Sequence, residues 1–190
     1  LELAKNNAQL SLSQFGEQIK KEELRTKGAL KEIGQVLGIE ESIVRIEAYD
    51  ISNTQGIQSV GSMVVFENGK PKRSDYRKFK IQTVIGPDDY ASMQEVLERR
   101  LQRLQEDNEA SFSKKPDLIL VDGGKGQVSV TQKVVDDLGL DILICGMIKD
   151  DRHRTKGLLF QNRELPLSVG TEGFNLIARI QDEAHRFAIE

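Results

Sequence analysis

The sequence predicts a mixed α/β fold, in which a central sheet of five strands carries helices on both faces. Three strand-like segments in the first half are joined by turn signals, which indicates an antiparallel start. Two aliphatic strands in the second half alternate with helical patterns, as in parallel βα units. Amphipathic helices are predicted at both ends of the chain. The order of elements is therefore β-β-β-α-β-α-β, then an insert and a last helix.

The composition is that of a soluble protein. The chain has 190 residues, of which 38% are hydrophobic, and its net charge is −3. No apolar run is long enough to cross a membrane, and the first residues do not resemble a signal peptide. The one cysteine, Cys145, lies in an aliphatic strand, so we predict a reduced thiol and a cytoplasmic location. With this net charge, any contact with nucleic acid requires a local basic patch.

The chain divides into two predicted segments. Residues 1–40 form a helical segment or linker, because large apolar residues recur at roughly helical spacing between polar ones. Internal glycines favour two or three helices there, and Gly38 is a natural end. Residues 41–190 form the α/β domain. Because the helical pattern begins without a cap or an initiator methionine, we expect the chain to be part of a longer protein.

The first predicted strand ends in a carboxylate. Apolar side chains dominate residues 43–51, and counting by twos places Asp50 on the same side as Ile46 and Ala48. A charge at the inner end of an apolar strand requires compensation.

The stretch over residues 116–127 carries a second carboxylate. Four aliphatic residues end at Asp122, and two glycines then allow a sharp turn before a helix. Ligands of α/β folds bind at this position, at the carboxyl ends of strands. A surface turn in which Asp122 caps the next helix is the alternative. The loop is not a P-loop, because Lys125 and its glycines lack the required spacing.

The predicted topology brings these two carboxylates together. The first and fourth strands become neighbours in the centre of the sheet, so Asp50 and Asp122 face each other. Close carboxylates repel unless a cation lies between them. Oxygen ligands favour Mg²⁺ or Mn²⁺, and such a centre carries out phosphoryl transfer by activating water.

A basic stretch lies on the predicted third strand, over residues 70–81, which follows a hairpin at Asn68-Gly69. Four of its residues are predicted to contact DNA phosphates, namely Lys72, Arg73, Arg77 and Lys78. An edge strand protected from aggregation by lysines is the alternative. Lys125 and Lys149 provide a second surface along which DNA could reach the carboxylates.

The two histidines lie in different contexts. The last helix, predicted over residues 173–189, carries His185 beside Asp182 on one flank, and a lone helical histidine is more often structural than catalytic. His153 lies in a charged segment that we interpret as a surface loop rather than a metal site. Residues 157–167 after it are predicted to form a small β-hairpin. Asp88, which precedes a helix, is interpreted as its cap.

Four motifs, in this order, resemble the UvrC family, the incision subunit of bacterial nucleotide excision repair. They are YDISN at residues 49–53, GPDDY at 86–90, VDGGKGQ at 121–127 and DEAHRFA at 182–188. The resemblance covers nearly the whole chain. It implies the C-terminal endonuclease domain, which has an RNase H-like fold and cuts the damaged strand on the 5′ side of the lesion.

The resemblance also implies roles for individual residues. A catalytic, metal-binding triad falls on Asp50, Asp122 and His185, and a further functional acid falls on Asp89. The implied cofactor is Mg²⁺ or Mn²⁺. The implied partners are damaged double-stranded DNA and, through the full-length protein, UvrB and the UvrA pathway. The family's GIY-YIG nuclease, its UvrB-binding segment and its helix-hairpin-helix module are expected to lie outside the chain.

Two positions depart from the family pattern, and alternatives remain. Asn53 stands where histidine is common, and Gln181 stands where arginine often precedes Asp-Glu. Neither belongs to the triad. One alternative is another RNase H-like metal nuclease of the junction resolvase or transposase type, although a third carboxylate usually completes such sites. An actin-like nucleotide-binding domain and a pure interaction domain are less favoured.

Overall fold

The structure is a computed structural model that describes residues 2–53, 58–106 and 113–190. The helices are α1 (Glu2–Glu23), α2 (Ala29–Leu37), α3 (Asp89–Glu106), α4 (Lys125–Asp137) and α5 (Glu172–Ile189). The strands are β1 (Arg45–Ser52), β2 (Val60–Glu67), β3 (Lys70–Pro71), β4 (Arg77–Lys80), β5 (Leu118–Asp122), β6 (Leu143–Lys149), β7 (Thr155–Phe160) and β8 (Arg163–Pro166). A π-helical turn, Leu24–Gly28, joins α1 to α2.

The strands within the described ranges form one sheet in the order β3-β2-β1-β5-β6-β7-β8, with β4 also paired to β2. Strands β1, β5 and β6 run parallel, and the other pairings are antiparallel. The predicted mixed α/β class is confirmed, as is the central position of the first and fourth predicted strands. The predicted count of five strands was wrong. The hairpin of β7 and β8 extends the sheet instead of standing apart, and the third predicted strand is broken in two.

The break in the predicted strand over residues 70–81 has a physical cause. The 3₁₀ turn Arg73–Asp75 separates β3 from β4 and turns Asp75 inward. There the Asp75 carboxylate accepts a hydrogen bond of 2.7 Å from the buried Arg45 guanidinium, which requires a carboxylate partner. The predicted hairpin is confirmed, since Asn68 and Gly69 have φ angles of 52° and 78°, as a tight type I′ turn requires.

Helices cover both faces of the sheet. Arg100 of α3 contacts Glu47 of β1 on one face, and α4 packs beside α3. His185 of α5 lies near Asp50 of β1 on the opposite face. Because β1 presents alternate residues to opposite faces, this one strand carries a buried ion pair on one side and Asp50 on the other.

The core is continuous from the sheet to α2. Ala29 and Ile33 of α2 are fully buried, and the Gly173 N–H of α5 donates to Glu32 at 2.7 Å. The division at residue 40 stays a prediction. Cys145 is a free, buried thiol, and burial raises its pKa to about 12.

Two further predictions concern segments at the edge of what the structure covers. The polar and glycine residues at 52–56 predict a turn, and the polar residues at 107–115 predict a linker. Both segments fall partly outside the described residues. Across residues 2–53, 58–106 and 113–190, none of the helices combines the length and the apolarity that crossing a bilayer would require.

Candidate active site

Two carboxylates stand side by side at the carboxyl end of the central strands. β1 and β5 pair in parallel with Tyr49 opposite Val121, so the next residues, Asp50 and Asp122, are neighbours. Asp50 is only 8% exposed. Burial, and then the negative charge of Asp122, raise the pKa of Asp50 to about 6. The structure thus brings together the two acids that the sequence placed at neighbouring strand ends.

An ammonium group compensates this pair. Lys149, the last residue of β6, donates from Nζ to Asp122 Oδ2 at 2.9 Å. Its positive charge also acts on Asp50, where it lowers the pKa against the effect of burial. The sequence offered Lys149 only as a DNA contact. Its pairing with Asp122 went unpredicted because it depends on the register of β5 and β6.

The third residue of the predicted triad, His185, lies above Asp50. Its Nδ1 is 3.7 Å from Asp50 Oδ2, and its side chain is 63% exposed. Asp182, one turn earlier on α5, does not join the site. It lines a groove beside Arg25 and Arg179.

The amide of Gln181 reaches the site from α5. Its Nε2 donates to Asp122 Oδ1 at 3.5 Å, while its Oε1 accepts a short hydrogen bond from the Thr155 hydroxyl. The sequence signalled only that Gln181 replaces an arginine common in the family. Thr155 carried no signal, because its role depends on β7 joining the sheet next to β6.

Asp89 lies at the rim of the same end of the sheet. As the first residue of α3, it accepts a hydrogen bond of 2.8 Å from Asn53, which follows β1. The neighbouring Asp88 accepts from the Ala91 N–H at 3.0 Å, which confirms its predicted role as a helix cap. Asn53, the other departure from the family pattern, therefore links Asp89 to the strand that carries Asp50.

A close approach joins the GPDDY and VDGGKGQ segments. A Cβ atom on Gly126 would lie 2.4 Å from Cε1 of the Tyr90 ring, so only glycine leaves room for this contact. The ring of Tyr90 thereby packs against the beginning of α4, just after Asp122. This packing holds the start of α3, with Asp89, next to the loop that follows β5.

The predicted DNA contacts occupy different environments. Lys78 of β4 pairs with Ser62 of β2, which pairs with Asp50 of β1, so Lys78 and Asp50 lie in one row across the sheet. The Lys78 ammonium lies on the α5 face, 5.0 Å from the centre of the Phe187 ring. Lys72 instead pairs with Glu67 and Asp75. Arg77 donates to two backbone carbonyls, whereas Arg73 and Lys125 are exposed.

The donor set fits a divalent cation by its chemistry, although its side chains are not closed around one. Two carboxylates with one imidazole suit Mg²⁺ or Mn²⁺. Burial, and then the negative charge of Asp122, raise the pKa of Asp50, and a cation would offset both effects. Among the described residues, no three His, Cys, Asp or Glu side chains converge closely enough to coordinate one ion. A cation held by Asp122 would compete with the Lys149 ammonium, which lies 2.9 Å from its Oδ2.

Comparison with known proteins identifies the family. The family model of the UvrC RNase H endonuclease domain matches residues 34–189. The chain belongs to the UvrC family. UvrABC system protein C of Lachnospira eligens is 58% identical over 194 residues, and that of Clostridium perfringens strain SM101 is 50% identical over 200 residues. Each alignment covers 100% of this chain and 32% of the relative, so the chain spans about a third of these UvrC proteins.

The UvrC match confirms the resemblance and the RNase H-like class of the fold. Solved structures resemble the chain less closely. Endonuclease V of Ciona intestinalis, bound to DNA that contains inosine, has a TM-score of 0.46 at 12% identity, and 77% of this chain and 84% of that chain are covered. Human ENDOV has a TM-score of 0.40 at 15% identity, with 77% and 82% covered. At these TM-scores and identities, neither structure identifies the substrate of this UvrC domain.

Proposed function

We propose that this domain is a divalent-metal-dependent endonuclease that hydrolyses a phosphodiester bond of damaged DNA, on the 5′ side of the lesion, during nucleotide excision repair. The observation that carries the proposal is the pair of Asp50 and Asp122 on neighbouring parallel strands. Burial and mutual repulsion raise the pKa of Asp50 to about 6. Such a pair is costly to a fold that does not use it.

Each residue has a distinct part in this chemistry. Asp50 and Asp122 would hold Mg²⁺ or Mn²⁺, which when bound activates water and stabilises charge on the scissile phosphate. The His185 ring faces Asp50 with Nδ1 and is otherwise exposed, so it can take a proton from the attacking water. Lys78 lies in the same row as Asp50 and would hold a neighbouring phosphate.

The partners follow from the relatives. These are named as component C of the UvrABC system, which supports the proposal that the full-length protein acts on damaged double-stranded DNA in the cytoplasm together with UvrA and UvrB.

The direct test is incision of a duplex that carries one lesion and one labelled strand. The full-length protein supplied with UvrA and UvrB is expected to cut the damaged strand 5′ to the lesion in Mg²⁺ or Mn²⁺. Chelation should stop the reaction, and restored metal should recover it. Cleavage that persists in a chelator would contradict the metal requirement. Cleavage only on the 3′ side would contradict the proposed position.

His185→Ala is expected to reduce the single-turnover incision rate by roughly 10²–10⁴-fold, the usual contribution of a general base. Binding of DNA should stay the same, because the imidazole is exposed and its removal leaves the core intact. A loss smaller than about tenfold would remove His185 from the mechanism. Asp182→Ala, on the same helix but away from the site, is the matched control.

Lys149→Met is expected to tighten Mn²⁺ binding to the DNA-free domain by about tenfold, because it removes a positive charge 2.9 Å from Asp122. Incision should fall in the same variant, since Asp122 loses the partner that orients it. Mn²⁺ titration followed by electron paramagnetic resonance measures the affinity. Lys125→Met, at an exposed position close to Asp122 in sequence, should leave it unchanged. Equal affinities in wild type and both variants would show that Lys149 does not influence the metal site.

Replacing Lys72, Arg73, Arg77 and Lys78 together by Gln is expected to weaken duplex binding and to flatten its log–log salt dependence. Each lost phosphate contact should reduce the slope by roughly 0.7–0.9. Lys78→Gln alone should account for most of the loss, because Lys78 is aligned with Asp50. Lys72→Gln should do little, since its ammonium already pairs with two carboxylates. Unchanged binding across a salt series would contradict the DNA-contact hypothesis. Residues 70–81 would then be interpreted as a sheet edge that its charges protect from aggregation.

A further inference from the structure

Helix α1 exposes an apolar stripe along its middle turns. Its 22 residues include none that is buried, and Leu12, Phe15 and Ile19 are 71%, 61% and 46% exposed. The ion pair between Glu22 and Lys70, at 3.6 Å, ties its last turn to the domain. An isolated helix of this kind gains little from propensity alone. A stripe of large apolar residues on such a helix indicates an interaction surface.

The stripe has the spacing of a coiled-coil seam. Ala8, Leu12, Phe15 and Ile19 follow one another at intervals of four, three and four residues, which keeps them on one side of a helix. Steps of three residues beyond each end reach Lys5 and Glu22. We define the α1 seam as these six residues. Its apolar part spans about 16 Å along the helix axis.

The α1 seam is complementary to itself when two copies run antiparallel. Leu12 of one copy then lies opposite Phe15 of the other, and the small Ala8 lies opposite the larger Ile19. At the two ends, Lys5 meets Glu22 of the other copy, so each end carries an opposite-charge pair. Every layer of the seam thus combines a small with a large side chain, two large apolar ones, or a cation with an anion.

A parallel arrangement lacks these matches. It would place Lys5 beside Lys5 and Glu22 beside Glu22, so like charges would repel at both ends. It would also align the two helix dipoles, whereas the antiparallel arrangement opposes them. We propose that the α1 seam is a homodimerisation surface, on which a second copy of this chain docks antiparallel. The proposal is independent of the nuclease site.

Sedimentation equilibrium tests the surface between about 1 and 100 μM protein, a range chosen for a dimer of micromolar affinity. The wild-type chain is expected to dimerise. Leu12→Glu is expected to weaken the dimer by roughly 100-fold, since it places a charge in the central layer of both copies. Leu10→Glu is the matched control, because Leu10 is 59% exposed on the other side of α1 and should not affect the equilibrium. A monomeric wild type, or a dimer that Leu12→Glu leaves intact, would overturn the proposal.

A charge exchange tests the orientation. Lys5→Glu should weaken the dimer, because it opposes Glu22 of the other copy with a second negative charge. Adding Glu22→Lys in the same chain should restore the affinity to within about threefold, as pairing is recovered at both ends. If the double variant stays as weak as the single one, the antiparallel arrangement is wrong. Circular dichroism of each variant verifies that the domain is folded.

Discussion

Asp50→Asn is expected to abolish incision while making the metal-free domain more stable above pH 6. The amide has the shape of the carboxylate but lacks the charge that a divalent ion requires, and loss of several kcal/mol of transition-state stabilisation corresponds to about 10³-fold or more in rate. Asp122→Asn should have the same effect on incision. Single-turnover cleavage of lesion-containing DNA in Mg²⁺ measures both.

The gain in stability follows from the raised pKa of Asp50. The ordinary pKa of the Asp50 carboxyl is 3.8, and in the folded protein it is about 6. Between these two pH values the folded state holds a proton that the unfolded chain has released. The free energy of unfolding therefore falls as the pH rises from about 4 to about 6. At neutral pH this costs the wild type up to about 3 kcal/mol. Asparagine removes the cost, so the variant should exceed the wild type above pH 6, and the difference should vanish below about pH 4.

The incision rate and the free energy of unfolding together distinguish a catalytic carboxylate from a structural one. Damage to the fold would lower activity and stability alike, whereas we expect them to move in opposite directions. Asp88→Asn is the matched control, because its side chain can still cap α3 and should leave incision unchanged. An Asp50→Asn protein that nicks DNA at the wild-type rate would show that the metal site has been assigned to the wrong residues.

Arg100→Met is expected to destabilise the fold by about 3–5 kcal/mol. Arg100 is fully buried in α3 and donates from Nη2 to Glu47 at 2.8 Å and to the Lys114 carbonyl at 2.9 Å. Glu47 is also fully buried, and the Tyr49 hydroxyl donates to it at 2.6 Å. Removing the guanidinium leaves Glu47 only a share of Arg45, which pairs with it at 2.9 Å but also with Glu67 and Asp75. The buried carboxylate is then undercompensated, which is costly.

Urea unfolding at neutral pH measures this effect. Arg99→Met is the matched control, because Arg99 is 36% exposed and pairs with Glu95 at a longer 3.4 Å. We expect it to cost no more than about 1 kcal/mol. Glu47→Gln combined with Arg100→Met should be less damaging than Arg100→Met alone, since the buried negative charge is removed together with the positive one. Equal effects of Arg99→Met and Arg100→Met would contradict the importance of the buried pair. Because Glu47 lies three residues before Asp50 on β1, this network also fixes the strand that carries the site.

Local patterns were sufficient to locate the two central carboxylates. Alternation along β1 and the aliphatic run before Asp122 identify strands without knowledge of their partners, and the two glycines after Asp122 identify the end of β5. Short-range rules also identified the Asn68-Gly69 hairpin and the Asp88 cap. Such features depend on residues only a few positions apart, so the sequence reveals them directly.

Local patterns failed where a distant residue decides the conformation. Residues 70–81 alternate well enough for a strand, yet Asp75 turns inward and pairs with the buried Arg45, and the turn breaks the strand. Lys149 reads as a surface cation in isolation. It becomes the partner of Asp122 only because β6 lies beside β5 and continues two residues past Met147, the residue opposite Asp122.

The sequence by itself determined the fold class, the UvrC motifs and the acids at the carboxyl ends of β1 and β5. The tertiary structure alone decided which cation compensates those acids, which basic residue aligns with Asp50, and that the described residues bury none of α1. The physical reason is that periodicity and turn chemistry are encoded in neighbouring residues. Ion pairing and burial depend instead on strand register and helix packing, which bring together groups far apart in the chain.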